Sequence, residues 1–198
     1  MDVDVRCTGS HTRALTTTVP TLKNAIALAW IPFWIYWLMS ATSAKESRPG
    51  RRWTPIGALS AVAVILIVRV FRTGSLAVNS PVLGAIGAVM FVSGIALAIW
   101  ARVHLGRNWG MPMTERLEPE LITSGPYRHI RHPIYTGLLL GMFGTALATN
   151  LIGLVIAAGL SGVFYYAARV EERNMTAAFP TAYPAYQAST KMLIPFIL

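Results

Sequence analysis

The sequence predicts an all-α protein: an integral membrane helical bundle of about five transmembrane helices with a C-terminal helical hairpin. Two observations carry this expectation. Of 198 residues, 54% are hydrophobic and only 13% are charged, with a mean hydropathy of +0.51, whereas a soluble domain carries about 25% charged residues. The apolar residues also fall into runs of helical length, and a helix needs roughly 20 of them to cross the hydrocarbon of a bilayer.

The first run is Leu22 to Ala41, "LKNAIALAWIPFWIYWLMSA". It lacks the short apolar stretch and small-residue cleavage site of a signal peptide, so it is read as a helix. Pro55 to Phe71 is the second span, with Arg69 near its end, where the long side chain can reach the interface. Pro81 to Ala101 is the third. Ile134 to Thr149 and Leu151 to Val170 are the fourth and fifth, separated only by Asn150, and they read as a tight hairpin, whether it spans fully or turns back early. The chain thus divides into a polar N-terminal tail (1–21), three helices (22–101) and a C-terminal half (102–198) holding the longest polar loop, the hairpin and a polar C-terminal stretch.

A net charge of +9 in a soluble chain would raise nucleic acid as a partner. In a membrane chain it reflects loops that face anionic lipid, so membrane lipids and not nucleic acid are expected. With five spans, twelve Lys and Arg fall on the side of loops 42–54 and 101–133 and the C-terminal tail, against five on the other. The positive-inside rule places the twelve in the cytosol and the N-terminus outside. The single cysteine, Cys7, cannot form an internal disulfide. No ligand spacing for zinc is present, so no metal is expected. No Gly-x-Gly-x-x-Gly follows a strand and there is no Walker loop. A nucleotide-like ligand would have to be held by helix ends and loops.

One polar stretch beside the hairpin, "SGPYRHIRHPIYTG" (124–137), concentrates two arginines and two histidines against a strongly apolar run. Pro133 suits the first turn of a helix, where its missing N–H would be unpaired anyway. The helix start, with free N–H groups and a partial positive charge, suits an anion such as a carboxylate. Arg131 and His132 add donors, and Tyr135 shares a face with Leu138 and Leu139. The same residues could equally serve as headgroup anchors. Glu171 and Glu172 are the only acids after residue 120. The fifth helix is expected to continue to about Phe179, before Pro180, which places both mid-helix. Spacing favours their ion pairing with Arg169, Arg173 or Arg131 over a role as acidic partner for a cationic ligand. Gly137, Gly141 and Gly144 read as a close-packing stripe. Tyr183 and Tyr186 read as interfacial residues, and His104 as a loop histidine. The hairpin returns the chain to its starting face, so "RHPIY" and "RVEERN" are expected together.

Taken together, "LITSGPYRHIRHPIYTG", "EERNMTAAFPTAYPAYQ" and the ending "IPFI" resemble the isoprenylcysteine carboxyl methyltransferase family of integral membrane enzymes, over about half the chain (100–198). "LGRNWG" is similar to the segment ahead of that signature in bacterial relatives, and phospholipid methyltransferases carry a related Arg-His-Pro-x-Tyr core. The resemblance implies S-adenosyl-L-methionine-dependent methylation of a lipophilic small-molecule or lipid-linked acceptor in a bacterial inner membrane. It implies that Leu121, Ile122, Tyr127, His132, Pro133, Ile134, Tyr135 and Glu171 line the cofactor pocket, and that Arg131, Tyr135 and Glu171 are catalytic. Arg169 is the nearest candidate for contacting the acceptor, with Ala167 at the alternative position. Where family members often show basic residues after Tyr-x-x-Tyr, this chain has Gln187, Ala188 and Ser189. The implied reaction is direct in-line displacement of methyl from sulfur. A carboxylate acceptor needs no base, being ionised at neutral pH; an amine or thiol would need one, from His132, His129 or a glutamate. A sterol-reductase-type enzyme using NADPH and a non-catalytic membrane protein are the competing classes, and Pro133 favours methyl transfer over reduction. The acceptor and the oligomeric state are left open by the sequence.

Overall fold

A computed structural model describes residues 9–41, 76–109 and 120–194. The expected second span, Pro55–Phe71, lies outside these residues, as does Cys7. Five α-helices carry the described fold: α1 (Gly9–Ala41), α2 (Pro81–Leu105), α3 (Pro133–Thr149), α4 (Ile152–Ala178) and α5 (Ala182–Ser189). Two short 3-10 turns, Gly106–Asn108 and Gly125–Arg128, link α2 to α3. Among the described residues, the only extended pairings are two isolated bridges, Ala77 with Asn150 and Ile130 with Lys191.

Three stretches are long and apolar enough to cross a membrane: Thr21–Ser40, Pro81–Asn108 and Ile152–Ala178. The protein is an all-helical integral membrane bundle, as its composition demands. The first helix runs back to Gly9, well ahead of the expected start of the span at Leu22. The helix expected over Ile134–Thr149, α3, has 17 residues. At 1.5 Å per residue it is about 26 Å long, short of a hydrocarbon core of about 30 Å.

Local sequence explains the ends. Ser80 caps α2, its Oγ accepting from the Leu83 N–H at 3.4 Å, and Pro81 opens the first turn. Pro133 opens α3 in the same way. At the hairpin, Asn150 Oδ1 accepts from the Ile152 N–H at 2.9 Å, so the amide side chain starts α4 directly after α3 ends. Residues 76–78 clamp this corner through Val78 N–H to Thr149 O at 3.0 Å and Leu151 N–H to Leu76 O at 3.1 Å. α4 runs on to Ala178, ending just before Pro180, as the sequence predicts.

α2 and α3 pack backbone against backbone. A Cβ at Gly94 would come within 2.5 Å of Gly137 O and of Gly141 N, and one at Gly87 within 2.5 Å of Gly144 O. In lipid, where apolar side chains gain nothing by leaving solvent, such close approach supplies the association energy. The expected glycine stripe on α3 therefore meets a matching one on α2. α1 joins this pair through Trp30, whose indole N–H donates to Thr145 Oγ1 at 3.1 Å. Its Phe33 and Trp37 extend the core toward Trp109 and Tyr135.

Candidate active site

The hairpin brings the start of α3 beside the last turns of α4. Neighbouring residues on a helix point about 100° apart, so Glu171 and Glu172 face different groups. Tyr135 Oη donates to Glu171 Oε1 at 2.5 Å. His132 Nδ1 lies 3.5 Å from Glu171 Oε2, and its Nε2 lies 3.6 Å from Glu172 Oε1. The His132 and Tyr135 rings stack, with centroids 5.4 Å apart and planes 5° from parallel. Arg131 Nε donates to Glu172 Oε1 at 2.6 Å. Gln187 Nε2 donates to Glu172 Oε2 at 3.2 Å.

Arg131 is committed further. Its Nη1 donates to Thr190 O at 2.5 Å and to Gln187 O at 3.2 Å. The guanidinium thus ties α4 to the chain after α5. That chain, Lys191 to Leu193, runs along the start of α3. The Arg131 N–H donates to Lys191 O at 2.8 Å, and the His132 N–H to Met192 O at 3.0 Å. Thr136 Oγ1 donates to Leu193 O at 2.6 Å. The C-terminal strap thus takes the N–H groups of Arg131 and His132, the two residues just ahead of this helix.

His132 is the titratable group of note. Burial alone would push its pKa down, but the carboxylates of Glu171 and Glu172 outweigh burial and raise it above the ordinary imidazole value. Its Nε2 is buried without a hydrogen-bond partner. Burial also pushes the Tyr183 hydroxyl up and moves Tyr186 to about 12. These two tyrosines, expected at the membrane interface, belong instead to the site's support. Tyr183 is buried, and Tyr186 Oη donates to Tyr127 O at 2.6 Å.

An apolar wall closes the inner side. Tyr127, Ile134, Tyr135, Leu138, Ala167 and Ala168 form one buried cluster, with Ile122 and Phe164 packed on it. Phe164 leans on Tyr135 at 5.0 Å. Pro133 is fully buried, and Leu121 is half-buried at the head of the segment. The 3-10 turn carrying Tyr127 is held by His104, which bonds Ser124 Oγ at 2.9 Å from the last turn of α2, not from a loop. Gly125, at φ 60°, lies so close that a Cβ there would meet the His104 ring at 2.7 Å.

The structure therefore gathers Arg131, His132, Pro133, Ile134, Tyr135 and Glu171 at one end of the hairpin, with Ile122 and Tyr127 on the adjoining wall. It does not gather Arg169, which is exposed on α4 and makes no ion pair among the described residues. Ala167, the alternative position, is buried in the wall. For Glu172 the spacing favours ion pairing over a role facing a ligand. This residue is a second wall of the site, 5% exposed, and shares one oxygen between Arg131 and His132. Thr136, Gln187 and residues 190–193 were not legible as site residues. Most of them act through backbone carbonyls, which carry no residue-type signal. Among the described residues no group of three or more His, Cys, Asp or Glu could hold a metal ion.

The phospholipid methyltransferase family matches residues 82–182, which include all of α2 but its first residue, all of α3 and α4, and the whole cluster of charged side chains. Among characterised proteins, the chain is 32% identical over 119 residues to a cobalt-zinc-cadmium resistance protein, CzcN, of Cupriavidus metallidurans, covering 59% of this chain and 50% of that one. It is 34% identical over 70 residues to the methanethiol S-methyltransferase of Mycobacterium tuberculosis, covering 35% of this chain and 28% of that one. The chain thus spans half the length of the first of these relatives and just over a quarter of the second. A solved structure, that of the eukaryotic intramembrane Ras methyltransferase ICMT (isoprenylcysteine carboxyl methyltransferase), has the same fold. Its TM-score is 0.57 and its identity 23%, over 74% of this chain and 55% of that one.

Proposed function

Because the chain belongs to the phospholipid methyltransferase family, we propose that it is a membrane methyltransferase that uses S-adenosyl-L-methionine on a lipophilic acceptor. The observation that carries this reading is the meeting of His132, Tyr135 and Glu171 from two helices at one end of the hairpin. A sulfonium cation is favoured by a carboxylate and by an aromatic face, and Glu171 and Tyr135 offer both. An adenine needs an apolar slot, which the wall of Ile122, Tyr127 and Ile134 supplies, with Leu121 at its edge. The buried Nε2 of His132 makes no hydrogen bond, its neighbour Glu172 Oε1 lying 3.6 Å away, which leaves polar capacity for a ligand. The residues present thus fit the cofactor, which when bound supplies an electrophilic methyl group.

What remains for the chain is to bind, orient and exclude water, and positioning of two reactants is worth several kcal/mol. Arg131 holds Glu172 and the C-terminal strap. Tyr135 holds Glu171. An acceptor with an apolar body would share the continuous core that runs from Phe33 and Trp37 of α1 to Tyr135 and Phe164. A carboxylate, phospholipid or thiol acceptor is compatible with this arrangement, and the excess of Lys and Arg favours a cytosolic site.

The test uses full-length protein in detergent. It is titrated with S-adenosyl-L-methionine and NADPH, then incubated with labelled methyl donor and a membrane lipid extract. Binding of the methyl donor and a labelled product soluble in organic solvent are expected. Absence of both binding and transfer overturns the proposal, and binding of NADPH in its place supports a reductase.

A further inference from the structure

One face of α4, with Phe164, Ala167, Ala168 and Glu172, turns to the core and the site. The opposite face carries Val155, Gly159, Gly162, Tyr166, Arg169 and Arg173. Spacings of three and four residues line these up along one side of a helix. All six are exposed, Val155 by 74% and Tyr166 by 63%. Tyr165, also exposed, flanks Tyr166. A Cβ added at Gly159 or Gly162 would meet nothing within 4 Å. Arg169 and Arg173 make no hydrogen bond and no ion pair among the described residues.

Along its length this face changes character as one leaflet of a bilayer does. From Val155 to Tyr166 the helix rises about 16 Å, close to half of a hydrocarbon core of about 30 Å. No charged residue lies in that part. Tyrosines favour the headgroup level, and the two guanidiniums follow Tyr166 about one and two turns further on. A guanidinium meets phosphate oxygens with paired, charge-assisted hydrogen bonds.

We propose that this face of α4 is a docking site for an anionic phospholipid of the cytosolic leaflet. Its phosphate sits between Arg169 and Arg173, and an acyl chain lies over Gly162 and Gly159 toward Val155. The excess of Lys and Arg favours a cytosolic location for this end, and that leaflet carries the negative surface potential. A second copy of the chain fits the face less well. About a twofold axis along the membrane normal, Arg169 and Arg173 would meet their own counterparts, and like charges repel. The lipid is not the methyl acceptor: the face lies on the far side of α4 from Arg131 and His132, and the proposal stands apart from the methyltransferase reading.

The test follows the melting temperature of the full-length protein in detergent with phosphatidylglycerol, or with phosphatidylcholine of the same acyl chains. Phosphatidylglycerol is expected to raise it by about 2–4 °C more than phosphatidylcholine does. Arg169→Gln with Arg173→Gln is expected to lose that difference. Arg107→Gln with Arg128→Gln, which removes two exposed charges elsewhere, is expected to keep it. Equal responses to the two lipids, or equal losses in the two double variants, overturn the proposal, since bulk charge would then account for the effect. Glycerol phosphate, which has no acyl chain, is expected to have no effect, and an equal rise with it overturns the lipid assignment in favour of a free phosphate. Without lipid, the Arg169/Arg173 double variant is expected to melt as the unmodified protein does. A loss of stability there assigns the face to another part of the chain and overturns the proposal. So does a dimer in light scattering that Gly162→Leu converts to monomer, which assigns the face to a second copy.

Discussion

Tyr135 and Glu171 are joined hydroxyl to carboxylate across 2.5 Å, one from the first turn of α3 and the other from the last turns of α4. This contact fixes which face of α4 looks at the head of α3, and it holds the carboxylate against the stacked rings of His132 and Tyr135. Tyr135→Phe keeps the ring and removes the hydroxyl. A hydrogen bond to a charged group is worth about 1.5–3 kcal/mol. Binding of S-adenosyl-L-methionine to the Phe variant, measured by titration in detergent, is expected to weaken by roughly ten- to a hundredfold, with the fold retained. Unchanged affinity would remove Tyr135 from the cofactor site.

Arg131 bonds both Glu172 and the strap. Arg131→Ala takes the guanidinium from the buried Glu172 carboxylate, a loss of about 3–5 kcal/mol in stability. Thermal unfolding in detergent measures it. The double variant Arg131→Ala with Glu172→Ala is expected to be less destabilised than the sum of the two single changes, because the orphaned charge is gone. Strict additivity would show that the two side chains are not coupled.

The pH dependence of stability follows from His132, whose pKa is raised in the folded protein. A raised folded-state value means that the stabilising contribution is complete below the ordinary imidazole value of about 6.5. It is then lost as pH rises through the folded-state value above that. The melting temperature of the ligand-free protein is expected to fall across this window. In His132→Asn the slope is expected to vanish. A melting temperature that rises over the same interval would contradict the assignment.

The α2–α3 contact predicts a contrast between glycines. Gly94→Ala places a methyl group within 2.5 Å of backbone atoms of Gly137 and Gly141, so the helices must separate. A loss of about 1–3 kcal/mol is expected. Gly159 on α4 has nothing within 4 Å of an added Cβ. Gly159→Ala is expected to be neutral or to gain up to about 1 kcal/mol from helix propensity. Melting temperatures of the two variants in detergent decide it, and equal shifts would sink the packing account.

The sequence by itself determined the membrane bundle, because apolar runs of helical length cannot be satisfied in water and close their own backbone hydrogen bonds in lipid. It also determined that Arg131, His132, Tyr135 and the paired glutamates share one face, because Asn150 alone separates two helices and the hairpin must return. Its spacing favoured ion pairs for the two glutamates and offered Arg131 as one of three candidate partners, beside Arg169 and Arg173. The tertiary structure decided the rest. Which glutamate meets which partner depends on the rotation of α4 against α3, and that rotation follows from packing, to which composition is blind. The strap at Lys191–Leu193 binds through carbonyls that every residue possesses, so no letter in the chain could mark it. Arg169 shows the converse: the right residue type at nearly the right spacing, turned outward, since a helix places neighbours about 100° apart and only the packed face reaches the site.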